Sequence, residues 1–471
     1  MQVILPDSLR AAALRHLLHT REVETHAFLF GVSRGDTIRA ARLWVTPGDA
    51  YDHRSATRVE LRRDYVVSAL EYARRNSFSI IDMHSHPWDT DLYFSHTDDE
   101  YGLANARWTQ DKVVSGAFPA IDWGMIVVSG RHELLARIYR PDKSGFADAA
   151  IRSPLAPPGD DATLKEDGAA GRHTRQLALW GEQGQKRLSR ARVAVVGLGG
   201  LGVLLAEYLS RIGVRRLTLF DGDRVDESNL SRLPGFYPRH IGQMKVDVVA
   251  SSVRRLWGEQ AEVVPIPEFL SRDTLSRLER HDLIIGAVDR EGARLLLNES
   301  SVRFLIPYLD VATGITIDDS ATVANMGGQI RFVNPGTTPC LQCYDKGIDL
   351  HEAALDLMPA GDREVRRHLG YVDGTDLSPE PSVLPQNGIL ASLAAQEVSR
   401  LLTQFAIPRT YIYYDGLANS IRLMDTDQPL TARPSCSVCG AGGLLGLADL
   451  PMQVYATAEE TEVAKAALPL S

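Results

Sequence analysis

The segment Arg192–Gly202, RVAVVGLGGLG, constrains this chain more than any other stretch of its length. A β-forming run enters Gly197, Gly199, Gly200 and Gly202, and a helical apolar pattern begins at Leu201. A strand that turns through glycines into a helix gathers backbone N–H groups and the positive helix end at one point, where a phosphate fits. Asp221 lies 24 residues past Gly197, after a second strand at Leu217–Phe220, where a carboxylate meets ribose hydroxyls. With Leu283–Ala287 as a third strand, strand and helix alternate, which predicts a mainly parallel, doubly wound α/β sheet. Taken alone, the glycine pattern is also a dinucleotide fingerprint, so an NAD-dependent dehydrogenase stays open at this point.

The residues that follow point elsewhere. DGDRVDESNLSR, then GQMK, then LIIGAVD resemble the ThiF/MoeB/HesA family, relatives of ubiquitin-activating enzymes, from Arg172 to about Gly440. The resemblance implies a Rossmann-like domain that binds ATP and Mg²⁺ and adenylates the C-terminal carboxylate of a ubiquitin-like or sulfur-carrier protein. It puts Gly200 at the phosphate turn and Asp221 on the ribose. Asn229, Arg232 and Lys245 fall at phosphate-facing positions, and Asp289 on the Mg²⁺ aspartate. The family's usual Asp-Asn pair reads Asp289-Arg290 here. Arg175 falls on an arginine that reaches the partner subunit's ATP, so the resemblance implies a homodimer. In such chemistry a carboxylate attacks the α-phosphorus, and Arg232, Lys245 and Mg²⁺ offset the charge that develops.

The chain has only 4 cysteines, in two C-x-x-C pairs: Cys340 with Cys343, and Cys436 with Cys439. Such scarcity in 471 residues argues against a secreted disulfide scaffold and for a cytosolic protein. The 92 residues between the pairs are too many for a compact zinc finger but suit a Cys₄ zinc clip joining distant segments. MoeB-like proteins carry paired C-x-x-C motifs at corresponding places, so the resemblance implies a structural Zn²⁺; redox-active or free thiols are the other readings. If all four hold zinc, none remains to take the activated acyl group as a thioester.

Upstream, HSHPWDTDLYFSHTDD follows a strand at Ile80–Met83. On extended backbone His84 and His86 point the same way, and Asp98 offers a third, hard ligand, the donor set of catalytic zinc. The spacing H-x-H-P, seven residues, S-x-x-D resembles the JAB/JAMM (MPN+) metalloproteases, which implies an N-terminal α/β zinc peptidase. By that resemblance Glu24, with Gly31 seven residues on, is the general base and acid. Ser95 would support the oxyanion at the scissile carbonyl.

Residues 153–171, SPLAPPGDDATLKEDGAAG, have linker composition and divide a peptidase domain at 1–152 from an adenylyltransferase domain at 172–450, with a tail at 451–471. Lys plus Arg number 51 against 60 Asp plus Glu, a net charge of −9 that argues against nucleic-acid and anionic-membrane partners. The opening MQVILPDSLRAAALRHLL is too broken by charge for a signal peptide, and the apolar stretch Val193–Ala206 is too short to span a bilayer. Together the domains predict an enzyme that cleaves at the C-terminus of a ubiquitin-like protein and adenylates it, with a conjugating enzyme as one source of the acceptor thiol. The alternatives are trimming and activation of a sulfur carrier in cofactor or cysteine biosynthesis, adenylation of a short peptide, and an inactive scaffold that binds a ubiquitin-like partner.

Overall fold

The computed structural model describes residues 1–20, 22–87, 92–153, 171–344, 347–358, 381–425, 430–433, 435–440 and 443–446. Most of the linker at 153–171 and all of the tail at 451–471 lie outside these residues. The chain divides into two compact units: Met1–Pro154 with Arg303–Leu305 and Gly440–Ser471, and Leu155–Val302 with Ile306–Cys439. The second unit thus ends at Cys439, short of the expected boundary at 450, since Cys439 is the last residue tied into its cysteine cluster.

The first unit is a closed barrel. Its elements are β1 (Gln2–Ile4), α1 (Asp7–Leu17), β2 (His26–Arg34), β3 (Thr37–Val45), β4 (Tyr51–Arg54), β5 (Val59–Leu61), α2 (Arg63–Asn76), β6 (Ser79–His86), α3 (His96–Val114), β7 (Trp123–Ser129), β8 (Leu134–Arg140) and β9 (Gly145–Arg152). The barrel order is β1-β3-β2-β6-β7-β8-β9, closed by parallel pairing of β1 with β9, while β4 and β5 form a separate ribbon. The hairpin expected around Gly130–His132 joins β7 to β8. Along β6 every residue is buried. Ile81 and Met83 join the apolar cluster with Leu29 and Val128, so the pleat turns Asp82, His84 and His86 to the opposite face. On that same face of β2, Phe28 and Phe30 pack against Tyr65 and Tyr72 of α2, which roofs this side of the sheet with aromatic rings.

The second unit begins with α4 (Thr174–Arg190), followed by β10 (Arg192–Val196), α5 (Gly200–Ile212), β11 (Arg216–Phe220), α6 (Lys245–Trp257), β12 (Glu262–Ile266), β13 (Leu283–Gly286) and α7 (Glu291–Phe304). Then come β14 (Tyr308–Ile317), β15 (Val323–Val333), α8 (Leu350–Asp356), α9 (Leu384–Thr403), β16 (Tyr411–Asp415) and β17 (Ser420–Leu423). The eight strands run β12-β11-β10-β13-β14-β15-β16-β17. The expected parallel arrangement holds from β12 to β14; β15, β16 and β17 extend it antiparallel. The short connection from Ile317 to Val323 forces that reversal, because a parallel crossover needs a dozen or more residues. Chain order reverses beside β10, whose neighbours are β11 and β13, and ligands of open α/β sheets bind at such a switch point. Among the described residues no helix is long and apolar enough to cross a membrane.

Candidate functional site

The carboxyl ends of β10, β11 and β13 bring three expected groups to one edge of the sheet. After β10 the chain turns at Gly197 with φ +88°, a conformation that L side chains avoid, and a Cβ there would lie 2.5 Å from the Ala287 carbonyl oxygen. At Gly202 a Cβ would lie 1.8 Å from the Gly197 carbonyl oxygen, so the first turn of α5 closes on the loop only with glycine. Gly199, by contrast, has open space on its Cβ side, which is what close approach of a phosphate needs, and Gly200 starts α5 behind it.

Asp221 follows β11. The Leu198 N–H donates to one carboxylate oxygen at 2.6 Å and the Asp223 N–H to the other at 2.8 Å, so the carboxylate ties the glycine loop to the strand end. Both oxygens keep lone pairs for ribose hydroxyls. Burial pushes the Asp221 carboxyl up, and the positive charge of Lys245 offsets part of that rise. Lys245, the first residue of α6, is buried and its Nζ donates to Asp223 at 2.7 Å, so its charge is already engaged in this crevice. The Asn229 Oδ1 accepts from the Asp226 N–H at 3.2 Å, so this buried side chain braces the turn that carries Arg232. The Arg232 side chain is half-buried and makes no hydrogen bond or ion pair with any described residue. Asp289 stands exposed between β13 and α7.

Three linked residues of this region, Arg294, Tyr308 and Asp310, have no sequence motif. Arg294 on α7 donates to the Val288 carbonyl at 3.3 Å and to Asp310 at 3.0 Å, and Tyr308 donates to the same Asp310 oxygen at 3.0 Å. A buried ion pair therefore holds the backbone immediately before Asp289. At the start of α4 the His173 ring stacks on Trp257 at 5.6 Å and Arg172 lies over the same indole, which leaves Arg175 exposed on the first turn.

The four cysteines meet. Cys340 Sγ lies 3.7 Å from Cys436 Sγ, and Cys343 Sγ lies 3.4 Å from Cys439 Sγ. All four sulfurs lie within 4.8 Å of one another. Tetrahedral zinc with about 2.3 Å bonds spaces its sulfurs about 3.8 Å apart, so the set fits that ion. The Arg433 N–H donates to Cys343 Sγ at 3.3 Å, as backbone amides do toward a thiolate.

In the first unit His84, His86 and Asp98 offer ligand atoms within 4.8 Å of one another. His84 Nε2 is 3.1 Å from Asp98 Oδ1, and His86 Nε2 is 3.7 Å from both Asp98 Oδ2 and Glu24 Oε1. Nitrogen and oxygen ligands of tetrahedral zinc stand about 3.4 Å apart, so this set also fits. Ser95 caps α3: its N–H donates to Asp98 at 2.6 Å and its Oγ accepts from the Asp98 N–H at 3.2 Å, which aims the carboxylate and leaves the Ser95 hydroxyl proton available. Burial works against a charged His84, yet hydrogen bonds to Asp82 and Asp98 outweigh it and hold the imidazole up at about 10. Asp98, burial notwithstanding, is held down at about 2 by His84. The cluster is built for a positive charge at its centre.

Asp82 is the residue sequence reasoning missed here. It is buried, 3.8 Å from His84 Nδ1 and 3.4 Å from His26 Nε2, while His26 Nδ1 meets Thr46 Oγ1 at 2.8 Å. A carboxylate behind a ligand histidine fixes its tautomer and orientation. The signal was its place two residues before His84 on one strand. Asp82→Asn is expected to weaken zinc binding at this site about 10–100-fold, read by chelator competition on the folded chain. Unchanged affinity would make Asp82 merely structural.

A glycine turn, a ribose carboxylate and basic residues at the switch point of a parallel sheet define a nucleotide-binding α/β protein. Residues 172–438 match the ThiF family, and the chain belongs to that family. The adenylyltransferase and sulfurtransferase MOCS3 of Sus scrofa is 32% identical over 292 residues, 61% of this chain and 56% of that protein. The molybdopterin-synthase adenylyltransferase of Salmonella typhimurium is 30% identical over 275 residues, 57% of this chain and 96% of that protein. The crystal structure of E. coli MccB with selenomethionine MccA covers 58% of this chain and 75% of its own, with 20% identity and a TM-score of 0.46, too low to bear on the site. The family assignment sets the dehydrogenase reading aside. It ends short of the first unit, where the metal-centre reading rests on side-chain geometry alone.

Proposed function

We propose that the second unit adenylates the C-terminal carboxylate of a ubiquitin-like sulfur-carrier protein, using ATP and Mg²⁺. The observation that carries this reading is the meeting of the Gly197–Gly202 loop, Asp221 and Lys245 at the carboxyl edge of β10 and β11, with Arg232 and Asp289 on the connections that leave β11 and β13. Family membership supports it, as do the names of two relatives that are adenylyltransferases. In this mechanism Asp221 holds the ribose and the N-terminus of α5 receives phosphate oxygens. The carrier carboxylate attacks the α-phosphorus and pyrophosphate leaves, with Arg232 and Lys245 stabilising the charge on the transferring phosphoryl. Asp289 would hold Mg²⁺, kept in place by Arg294 through the Val288 carbonyl. Arg175, exposed on α4, would complete the site of a second subunit in a homodimer. ATP–pyrophosphate exchange tests the reading: exchange should require a carrier that ends in a free Gly-Gly carboxylate, and carrier-independent or absent exchange overturns it.

The first unit we read as a zinc hydrolase that exposes that C-terminus, by trimming a precursor or releasing a conjugate. His84, His86 and Asp98 would hold a zinc ion, which would supply Lewis acidity toward water and carbonyl. Glu24, beside His86, takes the water proton and returns it to the leaving amine, and the Ser95 hydroxyl donates toward the oxyanion. Glu24→Gln is expected to lower cleavage of a carrier with a C-terminal extension by about 10²–10⁴-fold while zinc content stays unchanged. Cleavage at the wild-type rate removes Glu24 from the mechanism. Sulfur transfer is favoured over conjugation because the chain's 4 cysteines all sit in one cluster, which leaves no thiol for an acyl-enzyme; a conjugating enzyme would have to supply its own.

A further inference from the structure

The first unit carries a second cavity that neither reading uses. It is an open cleft of about 600 Å³ between α1, the start of β2, the end of β3 and β4. Arg15 and His16 of α1, with His19 just beyond its end, form one wall, Arg54 of β4 another, with Thr25 and Tyr51 between them. Among the described residues no acidic side chain lines it. Burial holds His16 below its usual pKa, its hydrogen bond to the His26 carbonyl opposes that, and the like charges of His19, His26 and Arg54 add to the lowering. The fixed hydrogen bonds leave donors to spare. Arg54 uses Nε on the Glu24 carbonyl at 2.8 Å and Nη2 on Thr25 Oγ1, so Nη1 is left over. His19 uses Nδ1 on the His16 carbonyl at 2.6 Å, and the Arg15 guanidinium pairs with no described group. The volume is that of a small-molecule site.

We propose that this cavity binds a small oxyanion, a carboxylate or a phosphate, through Arg54, Arg15 and His19. The site lies directly behind the candidate metal centre: Glu24 turns its carboxylate to His86, while adjacent Thr25 faces the cavity and Arg54 grips the Glu24 carbonyl. An anion drawn onto Arg54 therefore acts on the segment that positions Glu24. The binding claim stands whether or not the first unit proves to be a hydrolase.

The test is an NMR titration of the histidine ring protons of the full chain with inorganic phosphate and, separately, with succinate, against sodium chloride at matched ionic strength. A saturable shift of His16 and His19 with either anion is expected, weakened at least tenfold by Arg15→Gln with His19→Gln, both at exposed positions that leave the fold intact. Phosphate alone shifting the rings identifies a phosphate site, and succinate alone a carboxylate site. No saturable shift, shifts equal to those with chloride, or undiminished binding by the double variant overturns the proposal.

Discussion

Arg232→Ala is expected to lower carrier-dependent ATP–pyrophosphate exchange by about 10²–10³-fold and to leave stability nearly untouched. The size follows from what a single preorganised donor contributes when charge builds up at a reacting centre in a partly water-excluded site. The absence of a stability cost follows from the structure. The Arg232 guanidinium has no carboxylate or carbonyl partner among the described residues, so its removal orphans nothing. Lys245 makes the contrast. It is buried, with its Nζ on Asp223, so Lys245→Ala lowers exchange but also strands a carboxylate beside Asp221 and empties a packed position. Thermal melts separate the two variants, and exchange kinetics then read Arg232 cleanly. An Arg232→Ala protein that exchanges pyrophosphate at the wild-type rate would remove this residue from the phosphate site.

The parts of this site visible in sequence are those in which one short segment carries the whole constraint. The strand–glycine–helix turn was legible because Gly197 and Gly202 answer to local geometry, a positive φ and a close carbonyl. The triplet His84, His86 and Asp98 was legible because β6 and the first turn of α3 place all three within fifteen residues. The groups behind them were not. Asp82 acquires meaning only when β2 pairs with β6 and sets His26 opposite His84. Asp310 and Arg294 are linked only by the pairing of β13 with β14 under α7. The family resemblance puts Asn229 facing phosphate, and its oxygen closes the turn at Asp226. The antiparallel extension β15–β17 escaped because strand direction is set by connection length, which composition does not report. The cavity beside Thr25 likewise draws on separate stretches between Ala12 and Arg54, and no periodicity marks it.

Cys436→Ser should remove one of about two zinc ions per chain and strongly destabilise the second unit, while His84→Gln, which keeps most of the buried side-chain volume, should remove the other ion with a smaller loss of stability in the first unit. The asymmetry comes from what each cluster joins. His84, His86 and Asp98 sit on β6 and α3, already held by barrel pairing and a capped helix, so a metal there would serve chemistry rather than hold the fold together. The cysteines join the turn after β15 to a segment 92 residues further on, past α9, β16 and β17. Closing a loop of that length stabilises a fold by about 4–5 kcal/mol on the chain-entropy estimate used for cross-links. That is a large part of a marginal total of about 5–15 kcal/mol. Loss of the clip therefore loosens Arg331–Val333 of β15 and the β16–β17 edge before it reaches β10, whose neighbours are central strands. Hydrogen exchange should show that order, with fast exchange at the antiparallel edge and protection retained from β12 to β14. Zinc content of one per chain in the wild type would refute one of the two sites, and a Cys436→Ser protein with unchanged zinc content and an unshifted melt would refute the clip and return a free thiol to the acyl-transfer chemistry.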